Sequence, residues 1–176
     1  MCGMTRYIAL LRGVNVGGVT IRSADLREVF ASLGFDEVRT VLASGNVVFA
    51  ASAPGDRVKA DIERALGERF GYDAWIVLTT VERVSAVIDD FPFDAEDDER
   101  QPWVIFASDA RALDELVTAA SDLDPAVDPL RRGDGVLYWN PVKGTTGDTP
   151  FAKLLAKARY RPTTTNRNLR TLRRLV

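Results

Sequence analysis

Val38-Arg39-Thr40-Val41-Leu42 and Val47-Val48-Phe49-Ala50 stand on either side of Ala43-Ser44-Gly45-Asn46, and this stretch decides the fold. Two β-prone runs joined by a Ser-Gly-Asn reversal read as a hairpin, because glycine and short polar residues accept the backbone angles a tight turn needs. A hairpin makes its two strands antiparallel neighbours, so this half of the chain is not a purely parallel βαβ arrangement.

Working outward, Tyr7-Ile8-Ala9-Leu10-Leu11 is an apolar run suited to a buried strand. Between it and the hairpin, Ile21, Leu26, Val29, Phe30 and Leu33 recur at helical spacing, with Ser23 expected at the N-cap and Gly34 as the stop. After the hairpin, Val58, Ile62, Leu66 and Phe70 mark a second helix ended by Gly71, and residues 75–78 read as a fourth strand. The order β-α-β-β-α-β is that of a ferredoxin-like antiparallel sheet. That topology sets the first and third strands side by side at the centre. It therefore brings residues 12–20, 44–46 and 71–73 to one edge, with Asn46 close to Arg12.

The second half opens on a capping-box pattern, Thr79-Thr80-Val81-Glu82, whose helix is ended by Pro92. A strand at residues 103–107 follows, then a helix signalled by Leu113, Leu116 and Val117. Two strands flank Arg132-Gly133-Asp134-Gly135, and Thr149-Pro150 offers the N-cap and first position of a helix bearing Phe151, Leu154 and Leu155. The expected fold class is α+β: two related β-α-β-β-α subdomains, residues 4–79 and 80–176, the first ferredoxin-like and the second ending in basic helices.

The chain holds no histidine and a single cysteine, Cys2. Ser-His-Asp and Cys-His catalysis and His/Cys zinc sites are thereby excluded, and any general base must be a carboxylate, a lysine or a tyrosine. No cofactor and no strong transition-metal site are expected. Cys2 has no partner for an intramolecular disulfide, no apolar run reaches membrane-spanning length, and the N-terminus lacks a signal-peptide pattern, so the expected location is the cytoplasm.

Formal net charge is −2 but unevenly spread. From Thr149 onward there are eight bases and no acid, whereas the rest of the chain carries a balance of −10. An acidic run (Asp89, Asp90, Asp94, Glu96, Asp97, Asp98, Glu99) precedes the 103–107 strand. The basic end is expected to face the protein's own acid or a partner subunit, and weak binding of nucleic acid is expected because the acidic remainder repels a long polyanion.

At Tyr7-Ile8-Ala9-Leu10-Leu11-Arg12-Gly13-Val14-Asn15-Val16-Gly17-Gly18 the sequence resembles a bacterial family catalogued as domain of unknown function number 1697. The likeness continues through Ala24-Asp25-Leu26-Arg27, Ser44-Gly45-Asn46-Val47-Val48-Phe49, and Thr165, Arg167, Asn168 and Thr171. The resemblance implies a two-part α+β fold and carries no activity with it. The chain departs from the family pattern at Val19-Thr20, where basic residues are usual, at Ala43 in place of glutamine, and at Asn166, Leu169 and Arg170.

Backbone NH groups, glycines, a guanidinium and an amide in the 12–18 loop suit a phosphate or carboxylate. The same glycines would equally serve backbone geometry alone, since the spacing matches neither Walker A nor the dinucleotide fingerprint. The candidate ligand-binding residues are Arg12, Asn15, Gly17, Gly18, Ser44, Asn46, Arg167 and Asn168. The last two belong to a polar cluster, Thr163 to Asn168, that either supplies ligands or caps the final helix. Non-catalytic binding of a small anionic ligand is the favoured reading. The alternatives are nucleic-acid binding through the basic C-terminal face, and an enzyme without histidine chemistry, for which Asp73 is the acid expected near the loop.

Overall fold

The computed structural model describes residues 3–12, 19–42 and 45–176. Asn15, Gly17, Gly18 and Ser44 lie outside the described residues. The chain divides into two compact units, Met1–Ser85 with Arg174–Val176, and Ala86–Arg173.

The first unit runs β1 (Thr5–Leu11), α1 (Ser23–Ser32), β2 (Asp36–Thr40), β3 (Asn46–Ala51), α2 (Gly55–Phe70) and β4 (Ile76–Thr80). Its sheet has the order β2-β3-β1-β4, with every neighbouring pair antiparallel. Alternation of side chains sends Tyr7, Ala9, Leu11, Val47 and Phe49 to one face. There they meet Leu26, Val29 and Phe30 of α1 and Val58, Ile62 and Leu66 of α2. The four-residue spacing of the α2 set places it on one stripe of the helix. Phe49 anchors the layer, with ring centroids 4.7 Å from Phe35 and 5.2 Å from Phe30. Gly71 ends α2 at φ +69, a left-handed cap that glycine adopts without cost. Ile8, Leu10, Val48 and Ala50, on the opposite face, are buried as well, so β1 and β3 read as continuous apolar runs.

The second unit contains α3 (Val81–Asp89, beginning in the first), β5 (Trp103–Ala107), α4 (Ala110–Ala120), β6 (Leu130–Arg132), β7 (Val136–Trp139), α5 (Pro150–Leu155), β8 (Thr164–Asn168) and α6 (Leu169–Arg173). Its sheet order, β6-β7-β5-β8, repeats that of the first. Leu113, Leu116, Phe151 and Tyr160 pack with Ile105, Leu137 and Trp139. Asp128, only 1% exposed, takes the Trp139 indole N–H at 2.9 Å and the Phe151 backbone N–H at 3.0 Å. A buried carboxylate is tolerated because both bonds compensate its lost hydration.

Three local expectations need correction. The segment 164–168 is a strand, so this unit is β-α-β-β-α-β. Thr-Thr-Asn-Arg-Asn shows no apolar alternation, and pairing with β5 decides its conformation. The N-cap of α1 is Arg22, whose guanidinium bonds Asp25 at 3.0 Å and whose side chain makes no capping bond to the helix. Thr80, one residue beyond the expected Thr79, caps α3 by accepting the Arg83 N–H at 3.2 Å.

The two sheets correspond in register. The aromatic pair Tyr7–Phe49 has its counterpart in Trp103–Trp139. Arg12 N donates to Trp75 O at 3.2 Å as Ser108 N donates to Thr163 O at 2.8 Å. Thr80 caps α3 where Asn168, its equivalent opposite Trp103, caps α6 by accepting the Arg170 N–H at 2.9 Å.

The last residues return to the first unit: Leu175 is 0% exposed, and Arg39 Nη1 donates to Arg174 O at 3.1 Å. Leu175→Ala is expected to cost about 2–5 kcal/mol in a urea melt. Val176→Ala, at a position 47% exposed, is expected to stay within about 0.5 kcal/mol. Equal small effects would show that Leu175 is not a core residue.

Candidate functional site

The expected meeting of the β1 end with the hairpin is present among the described residues. Leu10 stands opposite Asn46, and Leu11 N donates to Gly45 O at 2.8 Å. Gly45, at φ +76, has no room for a side chain, since a Cβ there would lie 2.7 Å from Leu11 Cβ. Arg12, half-buried, follows directly and is tied on its other side to Trp75.

Asn46 stands opposite Leu10, two residues before Arg12, and is itself a structural group. It is 1% exposed, its Nδ2 donates to Val41 O at 3.0 Å, and its carbonyl accepts Val41 N at 2.9 Å. The amide closes the hairpin. On the β4 side, Lys59 holds Ile76 O at 2.9 Å and pairs with Glu63, which also accepts Ile76 N. Glu63 is thus committed, and Asp73 is exposed. The Tyr72 hydroxyl is buried without a hydrogen-bond partner among the described residues, and burial raises its pKa.

The register match isolates what is special about this edge. Between β1 and α1 the chain takes eleven residues, 12–22, whereas the equivalent connection between β5 and α4 takes two, 108–109. In the short version Asp109 caps α4 directly, accepting Ala112 N at 2.8 Å. The second unit closes the same edge with two residues; in the longer version Val19 and Ile21 pack against the core, and long connections on a sheet edge are a common place for function.

Arg167 and Asn168 lie in the second unit on β8. Being consecutive on a strand, they face opposite sides of its sheet and cannot serve one ligand from one face. Arg167 Nη1 donates to Thr165 Oγ1 at 2.7 Å and Asn166 O at 2.9 Å, and burial pulls its pKa down to about 10. Arg173 is exposed and places both Nη atoms 3.2 Å from Glu96 Oε1, so the basic end meets the acidic run inside this unit. Sequence reasoning missed Asp128, whose surroundings, an acid between Val127 and Pro129, carry no sign of its burial.

No group of three or more His, Cys, Asp or Glu side chains suited to a metal occurs among the described residues, and none of their helices is long and apolar enough to cross a membrane.

Removing Arg167 leaves Thr165 without this donor and opens space beside Val104, its partner in the ladder. Arg167→Ala is expected to cost about 1–3 kcal/mol in denaturant melts. Arg173→Ala breaks only an exposed ion pair and is expected to cost about 0–1 kcal/mol. Equal losses would contradict the distinct placements.

Comparison with curated proteins gives no match. Among solved structures, a conserved bacterial protein, SP0830 from Streptococcus pneumoniae, is similar with a TM-score of 0.84 and 24% identity, over 98% of this chain and 97% of that chain. This likeness concerns the fold alone. The family described as "Protein of unknown function (DUF1697)" matches residues 4–138, and its match holds β1, the hairpin and most of both sheets. The chain belongs to this family.

Proposed function

We propose that the protein is a non-catalytic binder of a small anionic ligand, held where the 12–22 connection leaves β1 beside the β2–β3 hairpin. The observation that carries the reading is the contrast between eleven residues here and two at the equivalent place in the second unit. The longer connection contains Gly13, Gly17, Gly18 and Asn15, and begins on the half-buried Arg12. Glycines let backbone N–H groups approach an oxyanion closely, and a guanidinium matches its geometry bidentately. The short version ends on an aspartate that would repel an anion. Non-catalytic binding is favoured over an enzyme because Glu63 is occupied by Lys59 and Ile76, and Asp73 is solvated. The Glu96–Arg173 pair favours local neutralisation of the basic end over a long polyanion as its partner.

The test is thermal melting with a panel of nucleotides, sugar phosphates and dicarboxylates, on the wild type and Arg12→Ala. At about 100 times its Kd, a ligand is expected to add about 2.7 kcal/mol of stability. Arg12→Ala is expected to weaken that ligand at least about tenfold. Absence of any stabilising anion, or stabilisation unchanged by Arg12→Ala, would refute the proposal. Fluorescence anisotropy with short RNA and DNA is expected to show no micromolar binding at physiological salt. Such binding, abolished by substituting Arg170, Arg173 and Arg174, would make nucleic acid the partner instead.

A further inference from the structure

The second unit carries a cavity of about 110 Å³ at the sheet edge where β5 begins and β7 and β8 end. Arg100, Gln101, Lys143, Asn168 and Arg170 are on its walls. Main-chain bonds fix these positions: Gln101 N to Pro141 O at 2.9 Å, Lys143 N to Glu99 O at 2.8 Å, and Leu169 N to Pro102 O at 3.0 Å. The wall is therefore built from three anchored segments.

Its polar groups are unequally occupied. Gln101 Oε1 accepts the Thr146 hydroxyl at 2.9 Å, and Asn168 Oδ1 accepts Arg170 N at 2.9 Å. Both amides thus have their oxygens engaged, while their NH₂ groups have no acceptor among the described residues. Arg100 reaches only Asn140 O, at 3.4 Å, and Arg100, Lys143 and Arg170 have no carboxylate partner among the described residues. On the acidic side of the wall, Glu96 is paired with Arg173, Asp97 accepts only the neutral Glu99 N–H on Oδ1, and Asp98 completes the set. Three cations and two amide donors stand against two carboxylates without a cationic partner among the described residues, Asp97 and Asp98, which leaves the wall with an excess of positive charge and of donors. A cavity so lined selects an acceptor with negative charge.

We propose that this cavity is a second anion site, taking a small oxyanion about the size of phosphate on Arg100, Lys143 and Arg170, with Gln101 Nε2 and Asn168 Nδ2 as the neutral donors. Free phosphate, a phosphomonoester and a small dicarboxylate share the required chemistry. The site is independent of the one proposed on the first unit, which uses none of these residues.

Isothermal titration calorimetry with inorganic phosphate, glycerol 3-phosphate and malonate, in a buffer free of other oxyanions, tests it. The wild type is compared with Lys143→Glu/Arg170→Glu, with Lys153→Glu/Lys157→Glu, and with Arg12→Ala. Lys143 and Arg170 are exposed, so the double reversal is expected to fold, which a thermal melt verifies. Saturable binding of at least one probe is expected, with a one-to-one component weakened at least about tenfold by Lys143→Glu/Arg170→Glu and distinct from any component that depends on Arg12. The other two variants are expected to stay within about twofold. Tighter phosphate or glycerol 3-phosphate identifies a phosphoryl group, and tighter malonate identifies a carboxylate; either upholds the site. No saturable binding, equal loss in Lys153→Glu/Lys157→Glu, or loss in Arg12→Ala alone would overturn it.

Discussion

The antiparallel pairing of β1 with β3 is the constraint on which the first unit depends. Six consecutive partners, from Thr5 opposite Ala51 to Leu10 opposite Asn46, fix which residues face the helices. A slip by one residue would exchange Phe49 and Val47 for Val48 and Ala50 and empty the aromatic layer. Asn46 locks the register at its open end. Its amide needs the Val41 carbonyl because, at 1% exposure, water cannot serve it. The pairing also sets Arg12 beside Gly45, so the geometry of the candidate site follows from strand register.

The second unit repeats this plan with different chemistry. An indole pair, Trp103–Trp139, replaces Tyr7–Phe49, and the larger ring at Trp139 brings an N–H into the core that must be satisfied. Asp128 satisfies it and, through its other oxygen, holds the start of α5. Where the first unit's layer carries the neutral bond from the Tyr7 hydroxyl to Ala53 O at 3.1 Å, the second has a carboxylate bonded inside one. Such bonds specify one arrangement, since the alternatives would strand a buried charge.

Charge is organised at short range. The acidic run and the basic end, separated by most of the second unit in sequence, are brought together at Glu96 and Arg173. At physiological ionic strength the screening length is about 8 Å, so immediate neighbours decide what each charge does. The formal net charge of −2 therefore describes neither the cavity at Arg100, Lys143 and Arg170 nor the edge at Arg12.

The architecture was legible because apolar periodicity and turn chemistry agree along most of the chain. The hairpin around Gly45, the helix stop at Gly71, the strand Trp103–Ala107 and the Thr149-Pro150 helix start each rest on a local backbone or burial requirement. The absence of histidine likewise bounds the chemistry without any coordinates. Tertiary structure decided what depends on partners distant in sequence. Strand β8 exists because β5 offers it a ladder, although Thr164 to Asn168 carries no strand pattern. Asn46 became a hairpin lock because Val41 O lies within its reach, and Asp128 became a core residue because Trp139 and Phe151 converge on it. Arg167 and Asn168, adjacent in the chain, were separated by the two-residue period of the strand. The physical reason is common to all four: a polar side chain takes its role from whichever donor or acceptor the fold sets beside it, and local sequence does not name that partner.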